Sequence, residues 1–181
     1  MMEYKKLAIP DVVLLAPKVF GDERGFFMET FRLDEFVKHC GNYSFVQDNH
    51  SSSGKGILRG LHYQHKQPQG KLVRVTKGEV FDVAVDMRRN SPTFGQWVGE
   101  FLSESNKRML WVPPGFAHGF YVTSDMAEFQ YKCTDYYAPG DEYSLVWNDP
   151  TVAIEWPVGE DAPRLSAKDA EGRLFADCPV F

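Results

Sequence analysis

The sequence has little cysteine, no excess of positive charge and no uninterrupted apolar run at its start. Its three cysteines, Cys40, Cys133 and Cys178, are an odd number without C-x-x-C spacing, which indicates structural thiols in a reducing compartment. The net charge of −5 argues against binding to nucleic acid or to an anionic membrane. Two prolines and an aspartate break the amino-terminal apolar stretch, so it predicts neither a signal peptide nor a membrane span. We therefore expect a cytoplasmic protein that binds no nucleic acid and no membrane.

Long helical periodicity is also missing, which excludes the α/β classes. Short runs that alternate apolar and polar residues recur instead, at spacings of about ten residues, and predict antiparallel strands. The predicted strands are Val12–Phe20 (an edge strand), Phe26–Phe31, Lys71–Thr76, Val80–Asp86, Gly95–Leu102, Arg108–Val112, Ala117–Val122 and Ala127–Cys133. At 181 residues, the chain is expected to be a single domain, 1–181, with a sandwich or barrel of these strands.

Few other elements are predicted. Leu33–His39 has helical spacing and is followed by Gly41 as a stop signal. The polar segment Ser51–Gly54 predicts a mobile loop or turn. Beyond Pro150 the chain becomes proline-rich, and we expect a tail that packs back on the barrel, with a short helix capped by Ser166.

The stretch Gly56–Gly78 concentrates histidines, arginines and lysines between glycines, and is the first candidate for a functional site. Strand alternation predicts that Lys71 and Val73 share one face, and that Arg59 and His62 lie on opposite faces. Inside a barrel, burial would lower the pKa of both His62 and Lys71. On spacing alone, a hydrogen-bonded core histidine and a surface lysine are an equally good interpretation.

Two motifs in this order match those of cupins, which are small jelly-roll β-barrels. One is the G-x5-H spacing that ends at His62, and the other is P-x-G-x-x-H at Pro113–His118. In metal-binding cupins the four ligands would fall on His62, Gln64, Lys71 and His118. Glutamine is a poor ligand and a protonated lysine repels a cation, so we expect no catalytic metal. A base beside a fixed cation suits the removal of a proton next to a carbonyl group.

Seven segments together resemble the dTDP-4-dehydrorhamnose 3,5-epimerase family, and the resemblance runs from about Ile9 to Asp169. They are Arg59–Gln64, Gly70–Arg74, Gly78–Asp86, Pro92–Trp97, Pro114–Phe120, Tyr136–Pro139 and Leu165–Asp169. The resemblance implies an all-β, cupin-type jelly-roll barrel with a few short helices. It also implies an epimerase that converts dTDP-4-dehydro-6-deoxy-D-glucose to dTDP-4-dehydro-β-L-rhamnose in dTDP-L-rhamnose biosynthesis, with neither a metal nor an organic cofactor.

The catalytic residues implied by this resemblance are four. His62 would be the base, with Asp169 bonded to its other ring nitrogen, and Lys71 would stabilise the enolate. Tyr131 would return a proton to the opposite face. The substrate-binding residues would be Arg24 and Arg59 at the pyrophosphate, Phe26, Glu29, Gln47, Asp48 and Asn49 at the thymidine and sugar, Tyr137 stacked on thymine, and His118, Glu142 and Lys168 in the polar wall.

The family also implies a homodimer in which an amino-terminal strand joins the partner's sheet, so that the segment from Arg24 to Glu29 reaches the partner's site. The apolar segment Val12–Leu15 would otherwise be an exposed edge.

Three alternatives stay open at this point. One is an epimerase acting at a single carbon, or a ketoisomerase, on a related nucleotide sugar. The second is a cupin that binds a nucleotide sugar without catalysis, and the third is a metal-dependent cupin enzyme.

Overall fold

The computed structural model describes residues 2–181, which form thirteen strands, two short α-helices and two 3-10 turns. The strands are β1 (Met2–Lys6), β2 (Val13–Pro17), β3 (Val19–Asp22), β4 (Gly25–Met28), β5 (Gln47–Gly54), β6 (Leu58–Gln64), β7 (Lys71–Lys77), β8 (Glu79–Asp86), β9 (Trp97–Ser103), β10 (Met109–Val112), β11 (Phe116–Val122), β12 (Met126–Cys133) and β13 (Glu142–Ser144). The helices are α1 (Leu33–Cys40) and α2 (Ala167–Ala170), and the 3-10 turns are Pro139–Asp141 and Phe175–Asp177.

Two sheets of antiparallel strands form the body of the protein. The six-stranded sheet has the order β1-β2-β10-β7-β12-β5, and the five-stranded sheet has the order β13-β6-β11-β8-β9. Among residues 2–181, strands β3 and β4 pair only with each other, as a hairpin. The expected all-β, cupin-like fold is confirmed, and no α/β unit is found in residues 2–181.

The main core lies between the two sheets, because alternate residues of each strand point inward. Val73 of β7 and Phe129 of β12 meet Val80 and Ala84 of β8 in one buried cluster. The outward residues of β8 are covered by the carboxy-terminal tail, which explains why β8 is buried on both faces. Two of its three acidic residues, Asp82 and Asp86, are buried as well, and each is paired with a basic side chain, His118 or Arg88.

Helix α1 covers the outer face of the six-stranded sheet. Its buried residue Phe36 packs against Trp111, with ring centroids 5.0 Å apart, and joins Leu15 and Leu72 in a cluster on that face. The predicted helix at Leu33–His39 is therefore confirmed, with one further residue at its end. No helix within residues 2–181 combines the length and apolar character needed to cross a membrane.

The carboxy-terminal tail covers the outer face of the five-stranded sheet, as predicted. Val152, Trp156 and Cys178 of the tail pack with Leu61 and Val83 of the sheet. The tail then carries α2, whose Ser166 Oγ accepts a hydrogen bond from the Asp169 amide at 3.1 Å, which confirms the predicted cap.

The prediction of a mobile loop or turn at Ser51–Gly54 is wrong. These residues are the end of β5, which pairs with β12 along its whole length, from Gln47 opposite Cys133 to Gly54 opposite Met126. Strand β5 is polar because it is an edge strand with one face turned toward water and the other toward a polar cavity. The sequence pattern of an edge strand of this kind resembles that of a loop.

The prediction of one edge strand over Val12–Phe20 is also wrong. The segment forms two strands, and β2 lies between β1 and β10 inside the sheet. Val12, Val13, Leu14 and Leu15 are consequently buried within a single chain. The segment therefore needs no partner to cover it, and the edge on this side of the sheet is the polar strand β1.

Candidate active site

A cavity of about 300 Å³ opens between the two sheets and the tail. Strands of both sheets and helix α2 contribute to its walls, so three parts of the chain meet there. The lining residues are Ser51, Arg59, His62, Lys71, His118, Gly119, Phe120, Phe129, Tyr131, Ser166, Lys168 and Asp169. All four predicted catalytic residues are among them, together with three of the predicted substrate-binding residues.

A histidine–carboxylate pair stands at one wall of this cavity. His62, on β6, has Nε2 2.5 Å from Oδ1 of Asp169, on α2. Asp169 is 3% exposed, and burial by itself would raise the pKa of its carboxyl group. The hydrogen bonds from His62 and Ser166, with the nearby charge of His62, outweigh burial and hold this pKa below its usual value. Asp169 is therefore a carboxylate that fixes the imidazole ring.

Lys71 and Tyr131 stand on the opposite wall, on the inner faces of β7 and β12. Lys71 shares its face with Val73, as predicted, and its Nζ lies 3.5 Å from the backbone oxygen of His62. Burial lowers the pKa of Lys71. Burial also raises the pKa of Tyr131 to about 12, so its phenol keeps its proton at neutral pH and is a donor.

A second histidine–carboxylate pair lies deeper in the barrel. His118 Nε2 is 2.9 Å from both carboxyl oxygens of Asp82, and both side chains are buried. Burial raises the pKa of Asp82, although the charge of His118 and the hydrogen bond from it act in the opposite direction. The pair orients the His118 ring in the cavity wall.

The prediction that Arg59 and His62 lie on opposite faces of β6 is wrong, because both line the cavity. On β11, His118 pairs with His62 and Phe120 pairs with Arg59, so β6 holds one residue more than β11 between these two pairs. This is a β-bulge, which turns Arg59 to the side of His62. It coincides with a close approach of two backbones, since a Cβ on Gly60, at φ +124°, would lie 2.5 Å from the Gly119 Cα.

Tyr137, Glu142 and Lys168 form a connected rim at the cavity mouth. The Tyr137 hydroxyl donates to Glu142 Oε2 at 2.9 Å, and the Lys168 ammonium, which lines the cavity, donates to the same oxygen. Burial alone would raise the pKa of Glu142, but these hydrogen bonds lower it. The Tyr137 amide donates to Gln47 Oε1 at 2.9 Å, which brings Gln47 to the same rim. Asn49 stands opposite Tyr131 in the sheet register.

Four predicted binding residues lie away from the cavity within one chain. Asp48 is on the outer face of β5, where its carboxylate accepts a hydrogen bond from Lys132 at 3.0 Å. The other three belong to the β3–β4 hairpin or to the residues just after it. They are Arg24, whose side chain is 85% exposed, Phe26 and Glu29.

Several cavity residues were not singled out as site residues from the sequence. Phe120 and Phe129 stack with ring centroids 4.2 Å apart, and form an apolar part of the cavity wall. Ser51 and Ser166 contribute hydroxyl groups. Phe129 could have been found, because it lies two residues before Tyr131 and therefore shares its strand face.

The fold is a cupin-like β-barrel, and its polar cavity brings the His62–Asp169 pair together with Lys71 and Tyr131. A family model described as dTDP-4-dehydrorhamnose 3,5-epimerase matches residues 6–177. The chain belongs to this family.

Individual relatives agree with this assignment. A dTDP-4-dehydrorhamnose 3,5-epimerase of Pseudomonas aeruginosa is 62% identical over 181 residues, which cover 99% of each chain. The solved dTDP-6-deoxy-D-glucose-3,5-epimerase of Legionella pneumophila, in complex with dTDP-4-keto-L-rhamnose, has a TM-score of 0.95 and 55% identity, and covers 99% of this chain and 95% of its own. A 3′-monoepimerase of Streptomyces bikiniensis, in complex with dTDP-quinovose, has a TM-score of 0.87 and 32% identity, with 94% and 86% coverage.

Proposed function

We propose that this protein inverts C3 and C5 of dTDP-4-dehydro-6-deoxy-D-glucose and so produces dTDP-4-dehydro-β-L-rhamnose for dTDP-L-rhamnose biosynthesis. The observation that carries the proposal is the placement of the His62–Asp169 pair in one cavity with Lys71 and Tyr131. The Pseudomonas relative, similar along the whole chain, is an epimerase of this name.

His62 is the base in this proposal. The C4 ketone acidifies the protons on C3 and C5, and a base must remove each proton before the carbon can invert. Asp169, at 2.5 Å from Nε2, keeps that nitrogen protonated and leaves Nδ1 free to accept a proton from carbon. The carboxylate also stabilises the imidazolium ion that forms when His62 takes the proton.

Lys71 stabilises the enolate in this scheme. Removal of a proton next to the ketone moves negative charge to the C4 oxygen, and a cationic donor next to that oxygen lowers the barrier. The Lys71 ammonium lies in a buried site close to His62, where an electrostatic interaction is stronger than in water. The same donor can serve both epimerisations, because both produce charge on the same oxygen.

Tyr131 supplies the new proton. Inversion requires that the proton return to the face opposite the one from which it was removed. His62 belongs to the five-stranded sheet and Tyr131 to the six-stranded sheet, so the two side chains enter the cavity from opposite walls. With a pKa of about 12, Tyr131 is protonated when the planar enolate forms beside it.

The nucleotide binds toward the rim. Arg59 offers a planar, permanently charged donor group for the pyrophosphate, and its Nε also donates to Ser53 Oγ at 2.9 Å, which fixes its direction. Tyr137 stacks on the thymine ring, while Glu142 and Lys168 complete the polar wall. Gln47 and Asn49 serve the thymidine and sugar region, whereas Asp48 points away from the cavity of its own chain and pairs with Lys132.

The active form is a homodimer in which the β3–β4 hairpin crosses to the partner. Four apolar side chains of this hairpin are exposed in a single chain, with Phe27 72% exposed; the others are Val19, Phe20 and Phe26. Such a patch on a hairpin that pairs only with itself is typical of an interface. The free edge of β5 is where the hairpin adds, which would bring Arg24, Phe26 and Glu29 to the partner's cavity.

Mixing two inactive variants tests this exchange. Arg24→Ala and His62→Ala chains, refolded together, would form mixed dimers that hold one intact site if Arg24 acts across the interface. Random pairing then restores about a quarter of the natural activity, because half of the dimers are mixed and each has one of two sites intact. Mixtures that stay inactive while mixed dimers are detected would show that Arg24 serves its own chain.

The chemistry is tested by proton NMR with dTDP-4-dehydro-6-deoxy-D-glucose in deuterated water. Solvent deuterium at both C3 and C5 is expected with the natural chain and not with His62→Ala. His39→Ala, on the exposed end of α1, is the matched control and should exchange normally. Label at only one carbon would indicate a monoepimerase, as in the Streptomyces relative. A ketone at a different carbon of the product would indicate a ketoisomerase. Tight dTDP binding without exchange would indicate a binding protein.

The proposal treats the whole chain as one domain acting in the cytoplasm without a metal. Its three cysteines are free thiols, which fits a reducing compartment. Retention of iron or nickel through purification, with activity abolished by a chelator, would contradict the metal-free part.

A further inference from the structure

The segment that carries Tyr137 is bound to glutamine side chains. Tyr137 is itself 52% exposed, so packing does little to fix it. Gln47 accepts a hydrogen bond from the Tyr137 amide at 2.9 Å, and Gln69 donates to the Asp135 backbone oxygen at 2.8 Å. A third glutamine, Gln64 at the end of β6, is bonded on both sides of Tyr137.

Gln64 uses its whole side-chain amide for this purpose. Its Nε2 donates to the backbone oxygen of Tyr136 at 3.1 Å and to that of Gln67 at 2.7 Å. Its Oε1 accepts from the Ala138 amide at 2.8 Å. The two donations and one acceptance require both ends of the amide, which neither a carboxylate nor an apolar side chain provides.

Gln64 is itself held in place by burial and by its position in strand β6. It is 3% exposed and stands in β6 opposite Glu142 of β13, whose carboxylate accepts the Tyr137 hydroxyl. Tyr137 is thus held at its backbone by Gln64 and at its hydroxyl by Glu142. Gln64 does not line the cavity, so it is not placed to touch the reacting carbons.

We propose that Gln64 is a positioning residue for nucleotide binding, which acts by holding the backbone on both sides of Tyr137. The inference rests on the proposed function, in which Tyr137 stacks on the thymine ring of the nucleotide. An ordered Tyr137 presents its ring without further loss of conformational freedom, and a ligand binds less tightly when it must first order such a side chain. Gln64 therefore affects the affinity for the nucleotide and leaves the proton transfers unchanged.

Two variants and a control test this role. Gln64→Leu removes all three hydrogen bonds, and Gln64→Glu keeps the acceptor for Ala138 but removes both donations. Gln96→Leu makes the same change at an exposed position on the far side of the barrel. For each protein, calorimetry gives the Kd of dTDP, and NMR gives kcat and KM for the dTDP-sugar. We expect Kd and KM to rise about tenfold in the Gln64 variants, equivalent to 1.4 kcal/mol, with kcat within about twofold of the natural value.

A double-mutant cycle with Tyr137→Leu separates positioning from a general loss of structure. If Gln64 acts through Tyr137, then adding Gln64→Leu or Gln64→Glu to Tyr137→Leu changes the Kd of dTDP no further. Additive losses, an unchanged Kd in both single variants, or a fall in kcat at constant KM would each overturn the proposal. Gln64→Glu carries the test if Gln64→Leu does not fold. A natural chain that binds dTDP but exchanges no substrate proton would refute the proposed function. The Kd of dTDP in the Gln64 variants would still decide the role of Gln64.

Discussion

Replacing Asp169 with asparagine removes one negative charge and almost no volume, so it isolates the electrostatic part of the His62–Asp169 pair. The carboxylate lies 2.5 Å from His62 Nε2 and is nearly inaccessible to water. The backbone amide of residue 169, and not its side chain, donates the capping hydrogen bond to Ser166 Oγ, so the substitution leaves the helix cap in place. We therefore expect the variant to fold normally.

The size of the effect follows from what His62 loses. A hydrogen bond to a charged group contributes about 1.5–3 kcal/mol, and every 1.4 kcal/mol is a factor of ten. The imidazolium ion formed by proton removal therefore loses stabilisation equivalent to roughly 10- to 150-fold in rate. Asparagine can also present its NH2 group to Nε2, which favours the wrong tautomer and adds to the loss. The expected fall in kcat is about 10²-fold or more, within the range of general-base catalysis.

The assay follows conversion of the dTDP-sugar by NMR across a range of pH values, with the Kd of dTDP measured in parallel. The fall should appear in kcat, while KM and the Kd of dTDP stay close to the natural values. Asp177→Asn makes the same change at an exposed site in the same tail and serves as the control. Thermal unfolding of both variants checks that the fold is retained.

A value of kcat within about threefold of the natural one would refute the reasoning. Loss of a residue that orients His62 and stabilises its imidazolium ion should lower kcat by much more than that. A rise in KM with unchanged kcat would also refute it. Asp169 would then be a binding residue, and its short contact with His62 would serve only to hold α2 against β6.

Three other predictions concern two cavity residues, Lys71 and Tyr131, and the buried carboxylate of Asp86 at the end of β8. Lys71→Met should lower kcat by about 10²- to 10³-fold, as the loss of a donor at an oxyanion does, while dTDP affinity is retained; an unchanged rate by NMR would contradict this. Tyr131→Phe should still allow solvent deuterium to enter the substrate but should form little inverted product, so full inversion would exclude Tyr131 as the donor. Hydrogen bonds from Arg88, Ser91 and Thr93 outweigh burial and hold the pKa of Asp86 below its usual value, so its stabilising effect is present above about pH 4 and lost as the pH falls through the lowered pKa. Urea unfolding at a series of pH values should show a smaller loss on acidification for Asp86→Asn, and equal losses in both proteins would contradict this.

Most of the barrel strands could be predicted because the alternation of apolar and polar residues along each strand reflects which side chains are buried. Strand β7 alternates Val73 and Val75 with polar residues, and that alternation identifies both its secondary structure and the inward face of Lys71. The cap at Ser166 and the helix at α1 were predicted correctly for a similar reason, since each depends on contacts within a few residues. Local rules are reliable where local contacts decide the structure.

The errors lie where distant parts of the chain decide the structure. Ser51 reads as part of a loop, yet β12 holds it in a strand at the cavity wall. Arg59 faces the cavity because a bulge against β11 shifts the register, and alternation within β6 cannot reveal a partner's register. Strand alternation within β8 does not reveal that Asp82 meets His118 from β11 deep in the barrel. In each case the information is in the pairing between strands.

The four positions that would hold a metal in a metal-binding cupin make other interactions in this chain. They are His62, Gln64, Lys71 and His118. His62 and His118 are both bonded to carboxylates, at 2.5 Å and 2.9 Å, so each ring has one nitrogen already engaged. Gln64 uses its side-chain amide to hold the segment around Tyr137, and the Nζ of Lys71 lies in the cavity, 3.5 Å from the backbone oxygen of His62. A metal would bind the carbonyl oxygen through a fixed coordination shell, whereas a lysine reaches it by a hydrogen bond and leaves the rest of the cavity free. That freedom matters for a reaction in which two different carbons must be approached from both faces while the same ketone oxygen bears the charge. Under the proposed function, His62, Lys71 and Tyr131 stay in place, and the sugar ring presents each carbon to them in turn.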